Sequence, residues 1–176
     1  MTQQPDLVTD VHSQAVNELV RALSPALLAY FARRVVPHED AADCLSETLL
    51  VLWCRRVDLP VTQSERRAWA YGVARRVLLA QRREGARRIM LAARLRDELR
   101  TIPITSDAQD EPAIAALRRL KEIDRELVGM VVWDGLSVSE AGAALGLRPD
   151  AARARFSRAR RNMRSTLERR SSPVLR

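Results

Sequence analysis

The sequence predicts an all-α protein built as two small helical domains joined by a flexible linker. Three observations carry that expectation. Only six glycines occur in 176 residues and alternating polar/apolar runs are few, which weighs against a sheet. Apolar residues make up 47% of the chain, mostly Ala, Leu and Val, and recur at helical spacing, enough for buried cores. The charge also alternates in blocks. Residues 1–60 carry a net −3, 61–100 carry +7, 101–140 carry −4 and 141–176 carry +8. The middle break coincides with Thr101-Ile102-Pro103-Ile104-Thr105-Ser106-Asp107-Ala108-Gln109-Asp110-Glu111-Pro112, two prolines and turn formers with no helical period, so residues 101–112 are expected to be the linker.

Several function classes are excluded at this level. Apolar runs such as Leu127 to Trp133 fall far short of the roughly 20 residues that cross a bilayer. Residues 1–13 lack a basic start and an apolar signal core, and are expected to be a disordered tail on a cytoplasmic protein. Cys44 and Cys54 are ten positions apart, about 15 Å along a shared helix, so they cannot pair and are expected to be buried thiols. His12 and His38 are the only histidines and give no metal-ligand spacing. No phosphate loop or nucleophile–base pair appears, so neither an enzyme nor a cofactor site is expected.

Of the 30 basic residues 29 are arginine, a choice that base composition of the genome can set. Their clustering is not set that way, because acids vanish where the arginines gather. Such stripes repel themselves unless an anion meets them, and nucleic acid is the default partner.

Helical spacing starts at Val16 and runs to Val36, with Pro25 either opening a second helix or kinking the first, and Pro37 ends it. A second helix covers Glu39 to Trp53. Ala41, Leu45, Leu49, Leu52 and Trp53 are its expected core stripe, with Asp40, Asp43 and Glu47 on another face. After a Val57–Ser64 connector, Ser64 is placed to cap a third helix whose core positions are Trp69, Val73, Val77 and Ala80. Arg75, Arg82 and Arg83 leave by another face, and Arg87 and Arg88 extend the basic run. Arginines beside Trp69 and Tyr71 suit a nucleic-acid strand with phosphates to neutralise and bases to stack, although Trp69 also fits a core position.

The second domain, residues 113–170, opens on a helix from Ala113 to Trp133, split near Lys121-Glu122 and stopped at Asp134-Gly135. Ser137-Val138-Ser139-Glu140 is a capping box that starts a short helix ending at Gly146. Pro149 and Asp150 open a longer one, with a core stripe of Ala152, Phe156, Ala159 and Met163. Arg153, Arg155, Arg158, Arg160, Arg161 and Arg164 cover the rest. A capped short helix, a glycine turn and an arginine-faced helix make a helix-turn-helix. Residues 171–176 are expected to be a tail.

Taken together, these features resemble the bacterial extracytoplasmic-function (ECF) sigma factors, the two-domain promoter-recognition subunits of RNA polymerase. Asp40 through Trp53 resembles that family's core-binding helix, D-A-x-D-x-x-Q-E-x-x-x-x-x-W. Trp69 through Arg76 with Arg82-Arg83 resembles its W-x-x-x-x-A-R-N…R-R helix, and Glu126 with Asp134 through Arg160 resembles its C-terminal helix-turn-helix. The resemblance spans roughly residues 14–168. Ser46 stands for the usual Gln, Arg76 for Asn and Arg66 for an aromatic; Lys121-Glu122 replace a frequent Pro-Pro, and Arg148 a capping Ser.

The resemblance implies a region 2-like domain over residues 14–100 and a region 4-like domain over 113–170. It implies that Asp43, Ser46, Glu47 and Leu50 dock on core RNA polymerase. Arg66, Trp69, Tyr71, Arg75, Arg76, Arg82 and Arg83 would meet the −10 element, with a flipped base near the Val57–Ser64 connector. Arg153, Ala154, Ser157, Arg158, Arg160 and Arg161 would meet the −35 element. The acidic stretch Asp107 to Glu111 would thread the polymerase RNA path. Implied partners are core polymerase, promoter DNA and an anti-sigma protein, at the nucleoid and without membrane insertion. The rival reading is a helix-turn-helix repressor or activator without sigma activity.

Overall fold

The computed structural model describes residues 7–97 and 112–171, and every described element is helical. They are α1 (Leu7–Ala32), α2 (Asp40–Cys54), a 3-10 turn (Arg56–Asp58), α3 (Gln63–Asp97), α4 (Pro112–Arg118), α5 (Glu122–Val132), α6 (Val138–Ala144) and α7 (Pro149–Ser171). The chain forms two compact units that divide between Ala86 and Arg87, with Ala143–Gly146 belonging to the first. Residues 101–111 of the expected linker lie outside the described residues, as do 172–176 of the expected tail. Among the described residues no helix is long and apolar enough to cross a membrane.

In the first unit α1 packs on α2. It begins at Leu7, within the segment expected to be a tail. No Pro or Gly lies between Leu7 and the packed turn at Val16, and adding turns to an anchored helix costs little. Pro25 sits inside α1 without dividing it. The core centres on three aromatics. Tyr30 meets Phe31 edge-on at 5.3 Å and Tyr71 at 5.6 Å, with interplanar angles of 78° and 89°. A second cluster joins Leu52, Ala70 and Val73, with Leu23, Leu49, Val51 and Trp69 packed around it.

The buried face of α2 is Ala41, Cys44, Thr48 and Leu52; Ala41 and Leu52 belong to the expected stripe, while Cys44 and Thr48 are buried more deeply than Leu45 and Leu49, which are half-buried. Thr48 fits there because its hydroxyl donates to the Cys44 carbonyl at 2.8 Å. Trp53 is exposed instead, with the Arg56 guanidinium 5.4 Å from its ring centroid. On α3, Ala80 is likewise exposed, while Ala74 and Leu78 take the buried positions. Ser64 is not the cap of α3. Thr62 and Glu65 close a capping box in which the Glu65 N–H donates to Thr62 Oγ1 at 3.3 Å and the Thr62 N–H to Glu65 Oε2 at 3.2 Å.

In the second unit α4 and α5 both pack on α7. Leu117, Val128 and Ala159 form the centre, flanked by Leu120, Phe156 and Met163. α5 ends where expected: the Leu136 N–H reaches back to the Met130 carbonyl at 3.0 Å, and Gly135 takes a φ of 66°. The Ser137–Glu140 box starts α6, with the Ser137 N–H on Glu140 Oε2 at 2.8 Å and the Glu140 N–H on Ser137 Oγ at 3.2 Å. Gly146, φ 70°, then turns the chain toward α7. Gly142 has a different reason to be glycine. A Cβ there would lie 2.5 Å from the Ala152 Cβ, so α6 and α7 touch at that point with no room for a side chain.

Candidate functional site

Three exposed surfaces carry the residues singled out above. The first is the outer face of α2. At 100° per residue, Asp43, Ser46, Glu47 and Leu50 fall opposite the Ala41–Cys44–Thr48–Leu52 stripe, and all four are exposed. Leu50 is 62% exposed and Trp53 extends the same face. The surface is thus an apolar strip bordered by two carboxylates. Trp53 was not among the expected site residues, because a tryptophan at helical spacing reads as core. Asp40 does not join the acidic face: it accepts a hydrogen bond from Gln81 Nε2 at 2.8 Å, tying α2 to α3.

Of the two thiols, Cys44 is buried and Cys54 is exposed, so only one matches the expectation of burial. Burial pushes the Cys44 thiol above its ordinary range, and the carboxylates of Glu47, Asp40 and Asp43 push it the same way. It stays protonated and packs as a small apolar side chain.

The second surface is formed by α3 and the connector before it. Trp69 is half-buried against the Leu52–Ala70–Val73 cluster, Arg75 is half-buried, and Arg76, Arg82 and Arg83 are exposed. Arg76 Nε donates to the Gly72 carbonyl at 3.2 Å, which lays its stem along the helix. Tyr71 does not belong to this surface. Its side chain is fully buried against Tyr30, so its ring is not available to a base; the proximity of Trp69 in sequence places it on the helix but not on that face. Arg66 is also turned inward, its Nε donating to the Pro60 carbonyl at 2.7 Å. The connector held this way exposes Val57 and Val61, at 68% and 86%.

The third surface is α7. Ala152 and Ala159 face the core, and Arg153, Ala154, Ser157, Arg158, Arg160 and Arg161 are all exposed. Arg153, Ser157, Arg160 and Arg161 line one shallow depression of about 320 Å³ with Val138, Phe156 and Arg164. Ala154 and Arg158 lie on the other side of the exposed face. Arg164 was missed as a site residue, although its spacing from Arg153, Ser157 and Arg161 signals a shared face. Arg153 pairs with Asp150 in the first turn, which orients its guanidinium along the helix start. These surfaces offer fixed cations, a half-buried indole and an apolar-tipped loop. Such groups bind and orient an anionic polymer.

Comparison with known proteins agrees with that chemistry. Residues 111–163 match the family model described as sigma-70, region 4. The chain is 34% identical over 156 residues to the ECF RNA polymerase sigma factor SigF of Caulobacter vibrioides, covering 85% of this chain and 84% of that protein. Among solved structures, it is similar to the sigma factor RpoE in complex with the anti-sigma factor NepR from Bartonella quintana, with a TM-score of 0.61 and 22% identity over 91% of this chain and 98% of that one. It is similar too to CnrH in complex with the cytosolic domain of CnrY, with a TM-score of 0.62 and 22% identity over 94% and 97%. At that identity the two structures speak for the fold.

Proposed function

The chain belongs to the ECF RNA polymerase sigma factors, and from that premise we propose how its surfaces divide the work of promoter recognition. Its function is to bind core RNA polymerase and direct promoter-specific transcription initiation at −10 and −35 elements. A repressor or activator without sigma activity is not favoured, because the match to the Caulobacter protein extends over both halves of the chain.

Residues 14–100 act as the polymerase-docking and −10 module and residues 113–170 as the −35 module, with 101–112 between them. Asp43, Ser46, Glu47 and Leu50, with Trp53, meet a basic surface of the polymerase that has an apolar spot for Leu50. Trp69, Arg75, Arg76, Arg82 and Arg83 hold the −10 strand, while Arg66 shapes the connector. A flipped base costs a few kcal/mol of unstacking, which contacts at the connector must offset. On α7 the N-terminal residues Arg153, Ala154, Ser157 and Arg158 read base edges, and Arg160, Arg161 and Arg164 neutralise phosphates. The chain supplies no catalytic group; nucleotide addition belongs to the polymerase. We place it in the cytoplasm, at the nucleoid. An anti-sigma protein is a further partner, as in the RpoE–NepR complex.

The observation that carries this reading is the exposure of all four docking residues on one face of α2, separate from the arginine-faced α7. Purified protein added to core polymerase is expected to yield transcripts from a subset of a promoter library. No transcript from any member would overturn the reading.

A further inference from the structure

Arg155 behaves unlike the arginines around it. Its Nη1 lies 2.9 Å from Asp124 Oδ1, and the two side chains are only 34% and 20% exposed. Asp124 sits in the first turn of α5, and Arg155 in the second turn of α7, 31 positions later. Counted at 100° per residue, Arg155 lies about 60° from Ala152 around α7, on the flank of the buried stripe, whereas Arg153, Ser157 and Arg161 lie about 100° to 180° away. One of the α7 arginines is therefore turned toward the protein.

The apolar face of α7 sets its coarse rotation: Ala152 and Ala159 are buried, Phe156 and Met163 pack beside them, and Ala152 abuts Gly142. Apolar contact is non-directional, however, and small rotations about that setting differ little in burial. A charged fork on a carboxylate has direction. Ionic pairs of this kind are best attested as devices that select one register among several of similar energy. A small rotation of α7 about its axis, one that keeps the apolar stripe covered, would swing Ser157 and its neighbours off the base edges they read.

We propose that the Asp124–Arg155 pair is a positioning device: it fixes the rotation of α7 against α5, so that Arg153, Ser157 and Arg158 face the −35 bases. Arg155 itself contacts no DNA. The inference rests on the reading of α7 as the −35 helix.

The test uses holoenzyme assembled from core polymerase and the full chain, bound to a promoter library randomised at the −35 element and sequenced. Wild type enriches one sequence. Asp124→Asn and Arg155→Ala each broaden the selected set, with a loss of discrimination of roughly five-fold or more, the lower end of one good base contact. The double variant is no broader than either single one. The charge exchange Asp124→Arg with Arg155→Asp regains most of the discrimination, which a loss of fold would not. Arg155→Ala leaves the salt dependence of binding unchanged, while Arg161→Ala lowers its slope by about 0.9, as for one phosphate contact. A fall in slope for Arg155→Ala, or no recovery on charge exchange, overturns the inference. If wild type enriches nothing at −35, the assignment of α7 itself fails, and the positioning role with it.

Discussion

Arg66 Nε donates to the Pro60 carbonyl at 2.7 Å, across the connector that leads into α3. A charged donor on a backbone carbonyl is stronger than a neutral pair, and here it closes a loop from which Val57 and Val61 point outward. The loop is thus shaped before any DNA arrives. Arg66→Met keeps the stem and removes the donor. It is expected to weaken discrimination among −10 sequences in a promoter-library selection while leaving the salt dependence of binding unchanged. A drop in the salt slope would instead identify Arg66 as a phosphate contact.

Tyr71 belongs to the core of the first unit. Its ring stands edge-on to Tyr30, and truncating a buried aromatic to alanine costs about 3–5 kcal/mol. Tyr71→Ala should lower the midpoint of urea unfolding by a corresponding amount, and Tyr71→Phe should keep the same promoter footprint as wild type. A Tyr71→Ala protein of wild-type stability that loses only −10 binding would return the ring to the DNA surface.

The features that were legible in sequence are those whose chemistry is local. Ser137-Val138-Ser139-Glu140 is a capping box because its two ends satisfy each other three residues apart, and the glycines at 135 and 146 stop helices through their own φ. The same pattern at Thr62 and Glu65 was equally present in the sequence; Ser64 obscured it by being another good cap. On α2 the period was right and the phase only partly so: Ala41 and Leu52 are buried as expected, while Cys44 and Thr48 lie deeper than Leu45 and Leu49. Trp53 and the leucines draw the eye to one stripe, but Thr48 buries its hydroxyl on its own helix and so occupies the core. What no local pattern reveals is pairing over distance. Tyr71 is buried because α1 brings Tyr30 to it, and Arg155 leaves the basic face because α5 brings Asp124.

The start of α3 should respond to acid. The Thr62 hydroxyl, and then the Thr62 backbone N–H, hold the Glu65 carboxyl below the usual carboxylate range. The carboxylate therefore binds its proton less readily in the folded chain than in the unfolded one. Its support for this turn is complete above the ordinary carboxylate pKa and is lost as pH falls through the lowered value. Amide protection at Glu65 and Arg66, with the intrinsic pH dependence of exchange divided out, is expected to fall on acidification before protection in the middle of α3 does. In Glu65→Gln that early response should disappear. If exchange at the first turn tracks the rest of the helix at every pH, the box does not hold the helix start.

The polymerase-facing assignment of α2 separates from folding because its residues contribute little to the core. Glu47 and Leu50 project away from Ala41, Cys44, Thr48 and Leu52, and surface substitutions of this kind usually change stability by less than about 0.5 kcal/mol. Glu47→Arg reverses one of the two carboxylates beside Leu50. A basic partner surface then meets like charge, which costs several kcal/mol and disrupts the match that fixes the contact. The variant is expected to unfold at the wild-type denaturant concentration and to lose co-elution with core polymerase in gel filtration. Leu50→Ala, which leaves the charges in place, should weaken the complex without abolishing it, and the salt dependence of its residual binding should match that of wild type. Co-elution of Glu47→Arg at wild-type strength would mean that another face of the first unit carries the docking.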